Sequence, residues 1–205
     1  MPTRKHTRKS KYTKTRKNTI HSSRCNLIPF NKINTKQLFQ LAMITKDKAI
    51  MKYIGRGNTW TLTNLKQFIK DETLESKKQP TKRQYYTFIM VCNNDVVGFI
   101  AGRKNKNLLP PESNPHNLLL RMFISRKHSD KGFGKLIIKL FISHYSRLLS
   151  NLSLSKNDQQ PIKLVSDIDK DNIASIKIHI GNGFTHTDTI TYPNKQTYQR
   201  YEFII

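Results

Sequence analysis

The stretch "FISRKHSDKGFGKLIIKLF", residues 123–141, decides how the chain is read. It begins as an apolar strand and passes through a cationic turn holding Gly132 and Gly134. It then enters a run in which Ile137, Leu140, Phe141, His144 or Tyr145, and Leu148 recur at helical spacing, with Lys135, Lys139, Ser143 and Arg147 on the other face. That period predicts an amphipathic helix of about four turns. A glycine turn that opens a helix leaves several backbone N–H groups unpaired at the positive end of the helix dipole, a geometry that binds phosphate. Gly132 and Gly134 clear the approach, and Arg126, Lys127, Lys131 and Lys135 surround it with charge. The pattern lacks G-x-x-x-x-G-K-[ST], a third glycine and an acidic partner, so it is neither a Walker loop nor a dinucleotide fingerprint.

Upstream, "LLLRMFIS" at 118–125 is apolar enough to be a central strand, and "YYTFIMVCNNDVVGFIAGRK" at 85–104 reads as a hairpin turning at Asn93, Asn94 and Asp95. Two amphipathic helices precede it, one after Asn34 with Leu38, Phe39, Leu41 and Ala42, the other capped by Thr61 or Thr63 with Leu65, Phe68 and Ile69. Downstream come a strand at "PIKLVSDI", a helix at "DNIASIKIHIGNGF" ended by Gly181 or Gly183, and a final strand pair. The order α-α-β-β-β-α-β-α-β-β predicts an α/β (α+β) class, a mixed sheet with helices on its faces.

The chain has 205 residues and a formal charge of +24. Residues 1–24 carry nine Lys or Arg and no acid, which predicts a disordered basic arm ahead of one domain over 25–205. Without the arm, 28 bases still face 13 acids, about +15. This charge suits nucleic acid or a ribonucleoprotein particle as a partner, or is simply a solvated lysine surface. Apolar runs fall far short of the ~18 residues that span a bilayer, so no membrane segment is expected. The first residues lack the apolar segment of a secretory signal. Cys25 and Cys92 form no C-x-x-C pair and have no close histidine, so neither a metal site nor a disulfide is expected. A reducing, cytoplasmic setting fits, and the basic arm also allows a nuclear one.

Three segments, in order, resemble the GNAT superfamily of N-acetyltransferases, and together the likeness runs from about residue 27 to the C-terminus. "FISRKHSDKGFGKLIIKLF" is similar to the family's acetyl-CoA-binding strand and turn, (Gln/Arg)-x-x-Gly-x-(Gly/Ala), through Gly132 and Gly134. "DNIASIKIHIGNGF" resembles Asn-x-x-Ala-x-x-(Leu/Ile)-Tyr-x-x-x-Gly-Phe through Asn172, Ser175, Ile178, His179, Gly183 and Phe184. "MKYIGRGNTWTLTNLKQFI" is similar to the acceptor-side helices of the branch that acetylates ribosomal-protein N-termini. Ser129, Asp130, His179 and Gly181 depart from the usual Gln/Arg, Gly, Tyr and Lys.

The resemblance implies a mostly antiparallel sheet with helices on both faces, acetyl-CoA as co-substrate, no metal, and direct attack by a primary amine. It places the cofactor on Met122, Phe123, Ile124, Ser129, Lys131, Gly132, Phe133, Gly134, Lys135 and Asn172. His179 stands in the general-acid position, a role in which activity falls as pH rises through its pKa. Glu112 is one option for a base, a bound water another. Gly134 is expected outside the core, so that tryptophan there blocks the cofactor without unfolding the chain. Trp60 and Tyr53 are expected to pack helix on sheet. A peptide N-terminus or lysine suits so cationic a chain better than a polycationic small molecule. The alternative reading is a GNAT-fold module that binds nucleic acid or the ribosome with little or no turnover.

Overall fold

Asn93 and Asn94 both adopt positive φ, 51° and 65°, in the two-residue turn that the expected hairpin requires. The computed structural model describes residues 25–54, 57–104, 114–152 and 161–205. The basic arm and Glu112 lie outside the described residues. The order of elements is β1 Cys25–Pro29, α1 Thr35–Ile44, α2 Lys48–Ile54, α3 Leu62–Ser76, β2 Tyr85–Cys92, β3 Asp95–Arg103, β4 Leu118–Ile124, α4 Phe133–Ser150, β5 Lys163–Ile168, α5 Ile173–Ile180, β6 Thr185–Thr191 and β7 Thr197–Ile204.

Local chemistry starts the helices where the sequence places them. Asn34 and Gln37 form a reciprocal capping box at α1, and Thr61 and Asn64 form one at α3. Helix α4 runs for 18 residues, five turns rather than four. Its inner face presents Ile137, Ile138 and Phe141, each fully buried, to one side of the sheet. Burying a side chain of this kind is worth about 2 kcal/mol. On β2 the alternation divides the core: Tyr86, Phe88 and Met90 join the α4 side, while Ile89 and Val91 join Phe30, Leu41 and Leu65 on the α1/α3 side. Helices therefore cover both faces.

The seven strands run β1-β2-β3-β4-β5-β7-β6, and every neighbouring pair is antiparallel except β4 with β5. Two elements were not foreseen. Helix α2 takes in the first four residues of the segment 51–69, and β1 pairs along the outer edge of β2 in the register Cys25↔Cys92. There the two Cα atoms lie 4.2 Å apart and the sulfurs are bonded, against the expectation of free thiols. Proximity across an antiparallel pair brings together cysteines separated by 67 residues, which spacing along the chain cannot reveal. Among the described residues no helix is long and apolar enough to cross a membrane, and no His/Cys/Asp/Glu group could hold a metal.

Candidate active site

The parallel pairing of β4 with β5 is brief, Leu118↔Leu164 and Leu119↔Val165, and then stops. On its other edge β4 stays paired with β3 as far as Gly98↔Ile124. From Leu120 onward, therefore, one edge of a central strand is open, its peptide groups facing a cavity of about 680 Å³ between the diverging strands.

Beyond Ile124 the chain makes a single 3-10 turn over Arg126–His128 and reaches α4 through two left-handed residues, Asp130 at φ 58° and Gly132 at φ 82°. Asp130 takes the position where the family pattern favours glycine because aspartate tolerates this backbone better than most residues do. Gly132 is the N-cap and no side chain caps the helix. The first intrahelical bond is Leu136 N–H to the Gly132 carbonyl, which leaves the N–H groups of Phe133, Gly134 and Lys135 ahead of it. Gly132, Phe133, Gly134 and Lys135 all line the cavity, as do Met122, Phe123, Ile124, Ser129, Asp130 and Asn172. This uncapped N-terminus beside an open strand edge fits a pyrophosphate and a peptide-like arm.

Two expectations change. Lys131 is not part of the lining: its Nζ donates to the Lys127 carbonyl at 2.9 Å. Gly134 is buried rather than outside the core, and a Cβ on it would meet Ile178 Cδ1 of α5 at 2.5 Å. Its missing side chain lets α4 and α5 close on each other, so tryptophan there disrupts packing before it blocks any ligand.

Asn172 caps α5, its side chain accepting from Ser175 N–H at 3.2 Å. One turn on, His179 is buried at 2% exposure, its ring edge-on to Phe184. Its Nδ1–H donates to the Ser175 carbonyl at 2.8 Å, while Nε2 lies 2.9 Å from Ser166 Oγ on β5. Burial pushes the ring's pKa below the usual histidine range, opposed by the bond to Ser175. The imidazole is thus neutral near pH 7, with its one proton on Nδ1, and Nε2 accepts from the Ser166 hydroxyl. In this arrangement Nε2 is an acceptor, whereas the sequence reading placed a proton donor at this residue.

The other half of the cavity is bounded by Ile50 and Tyr53 of α2 and by Tyr192 and Tyr198 near the β6–β7 turn. Tyr53 lines the cavity, whereas Trp60 packs among Phe68, Phe99 and Phe123 as expected. Asp167 of β5 is held by Arg200, Nε to Oδ1 at 2.8 Å and the terminal nitrogen to Oδ2 at 3.0 Å, and Tyr192 donates to Oδ2 at 2.5 Å. Burial and this carboxylate push the Tyr192 phenol up to about 12. Ser166, Asp167, Tyr192 and Arg200 belong to no short motif and carried no signal in the sequence.

The model of the acetyltransferase (GNAT) domain family matches residues 24–185. No curated protein matches the chain. Among solved structures, the aminoglycoside acetyltransferase AAC(6')-Ib in complex with coenzyme A aligns at TM-score 0.63 and 14% identity, covering 88% of this chain and 93% of that one. Spermidine N-acetyltransferase from Vibrio cholerae, with CoA and spermine, aligns at 0.65 and 13%, covering 89% and 96%. The ribosomal-protein alpha-N-acetyltransferase RimL, with coenzyme A, aligns at 0.66 and 14%, covering 89% and 95%. At such identity the likeness is one of fold.

Proposed function

The chain belongs to the GNAT acetyltransferase family and is an acetyl-CoA-dependent N-acetyltransferase, and from that premise we propose that it acetylates the N-terminal amine or a lysine of a peptide. The observation that carries the site assignment is the parting of β4 from β5 directly above the uncapped start of α4. The N–H groups of residues 133–135 would hold the pyrophosphate, with Lys135 adding charge, and the open edge of β4 and Asn172 would align the pantetheine arm. When bound, acetyl-CoA supplies an acyl group activated as a thioester. The chain's own part is to orient that group, offer backbone N–H groups where negative charge develops, and exclude water.

The charge of the acceptor half supports a peptide. Its buried carboxylate, Asp167, is already neutralised by Arg200 and bonded to Tyr192. Arg121, Lys135 and Lys177 line the same cavity, with Asp130 and Asp169 as the remaining carboxylates. A molecule with three or more positive charges finds no cluster of acids there, whereas a peptide presents one amine and a backbone to align.

Calorimetry with acetyl-CoA tests the site. Gly132→Asp strains an exposed backbone position and adds negative charge to the cradle, so it should weaken binding at least ~10-fold while the chain stays folded. Unchanged affinity removes the cradle. A panel of peptides with free N-termini, N-blocked lysine peptides, spermidine and kanamycin tests the acceptor. One peptide class should exceed both small amines in kcat/KM by ~10-fold or more, and the reverse order overturns the proposal.

A further inference from the structure

Ser166 is the first residue of β5 beyond the last β4–β5 pair, so it sits at the apex of the opening. It is buried at 3% exposure, yet it forms part of the cavity wall together with His179. Its Oγ is 2.9 Å from His179 Nε2, and the far side of that ring is fixed by the 2.8 Å bond from Nδ1 to the Ser175 carbonyl and by Phe184. A hydroxyl, a base and a group that orients the base are thus in line, ending at the cavity.

We propose that Ser166 and His179 form a proton shuttle in which the serine, not the histidine, meets the reacting atoms. This rests on the acetyl-transfer reading above. When the amine has bonded to the acetyl carbon, its N–H bond breaks toward Ser166 Oγ as the serine's own O–H bond breaks toward His179 Nε2. The imidazolium so formed returns the proton by the same path as the carbonyl re-forms and the C–S bond breaks, and an S–H bond forms on the departing coenzyme A sulfur. The amine has lost one proton, the thiolate has gained it, and both side chains end as they began. A serine hydroxyl can accept while it donates, which the relay needs. The charged and histidine groups lining the same cavity are Lys135 of α4, Lys177 of α5, Arg121 of β4, Asp167 of β5, Asp169 just beyond it, and His128 and Asp130 ahead of α4.

The test uses the full chain with two acceptors, the preferred amine of the panel and water itself, read as slow release of coenzyme A thiol. Water has no amine titration to distort the pH profile. Ser166→Ala should lower kcat by ~10²-fold with the acetyl-CoA dissociation constant changed by no more than about twofold, and Ser166→Thr should regain part of the loss. Burial holds the imidazole below the usual histidine range, so the parent rate should fall on the acid side of that range, where the ring protonates, and this limb should vanish in Ser166→Ala. Parent-like turnover in folded Ser166→Ala overturns the shuttle. So does a hydroxylamine-labile acetyl adduct on Ser166, which makes the serine a nucleophile, or a parent that binds acetyl-CoA yet releases thiol to neither acceptor. Failure of the parent to bind acetyl-CoA instead overturns the site assignment.

Discussion

Gly134 shows how one missing side chain serves packing and site together. It lies in the first turn of α4, and Ile178 of α5 fills the space where a Cβ would stand. Gly134→Ala forces the Ile178 side chain to move, and overpacking of this kind costs about 1–3 kcal/mol. We expect a lower thermal midpoint and weaker acetyl-CoA binding, because the same turn aims the N–H groups of residues 133–135. Gly134→Ala/Ile178→Val should recover part of both. Scanning calorimetry and titration of the two variants check this, and a parent-like midpoint in Gly134→Ala would show that α5 yields at no cost.

At the scale of elements, the disulfide is the feature with the largest expected effect. β1 is an edge strand of five residues that joins the sheet through β2 alone, and Cys25–Cys92 fastens its first residue to the last residue of β2. A link across 67 positions restricts the unfolded chain by up to about 4 kcal/mol in the chain-entropy account, roughly 10 °C for a chain of this size. Oxidised protein should show no titratable thiol, since these are its two cysteines. Reduction, or Cys92→Ser, should lower the midpoint by several degrees. An equal midpoint with and without reductant removes the staple from the account of stability.

For the molecule as a whole, acid is the expected weakness. Burial depresses His179, His144 and His128; Arg147 and Arg83 add to the shift at His144, and Lys127 and Lys131 at His128. A histidine whose folded pKa lies below its unfolded value of about 6.5 contributes stability that is complete above that pH. The contribution is lost as pH falls toward the folded value. Glu72, raised by burial beside Thr87, works the other way, but one carboxylate opposes three histidines. Acidification also adds charge to a chain already at +24. The thermal midpoint should therefore fall between about pH 7.5 and 5.5, and less steeply when His144 and His179 are both replaced by glutamine. A midpoint level over that range contradicts the assignment of these three rings as neutral in the folded chain.

Caps, turns and periodicity act over a few residues, and these were legible without coordinates. The Asn34 cap, a threonine cap at 61 or 63 that the structure places at Thr61, the Asn93–Asn94 turn, the apolar face of α4 and the Gly132 turn follow from neighbours in the chain. They suffice for the strand and helix order apart from β1 and α2, and for the glycine turn at one end of the cavity. Edge strand β1 was missed because five residues, one of them proline, carry too little alternation to stand apart from a loop. The bonded cysteines, the packing role of Gly134, the Asp167–Arg200–Tyr192 group and the Ser166–His179 contact join residues 13 to 67 positions apart. Such pairs exist once the strands have paired and α5 has closed on α4. The sequence by itself therefore determined all of these elements but β1 and α2, and the glycine turn that opens α4. Tertiary packing decided which side chains share the cavity: it took His179 out of water and bonded its Nδ1–H to the Ser175 carbonyl, which leaves Nε2 to accept from Ser166.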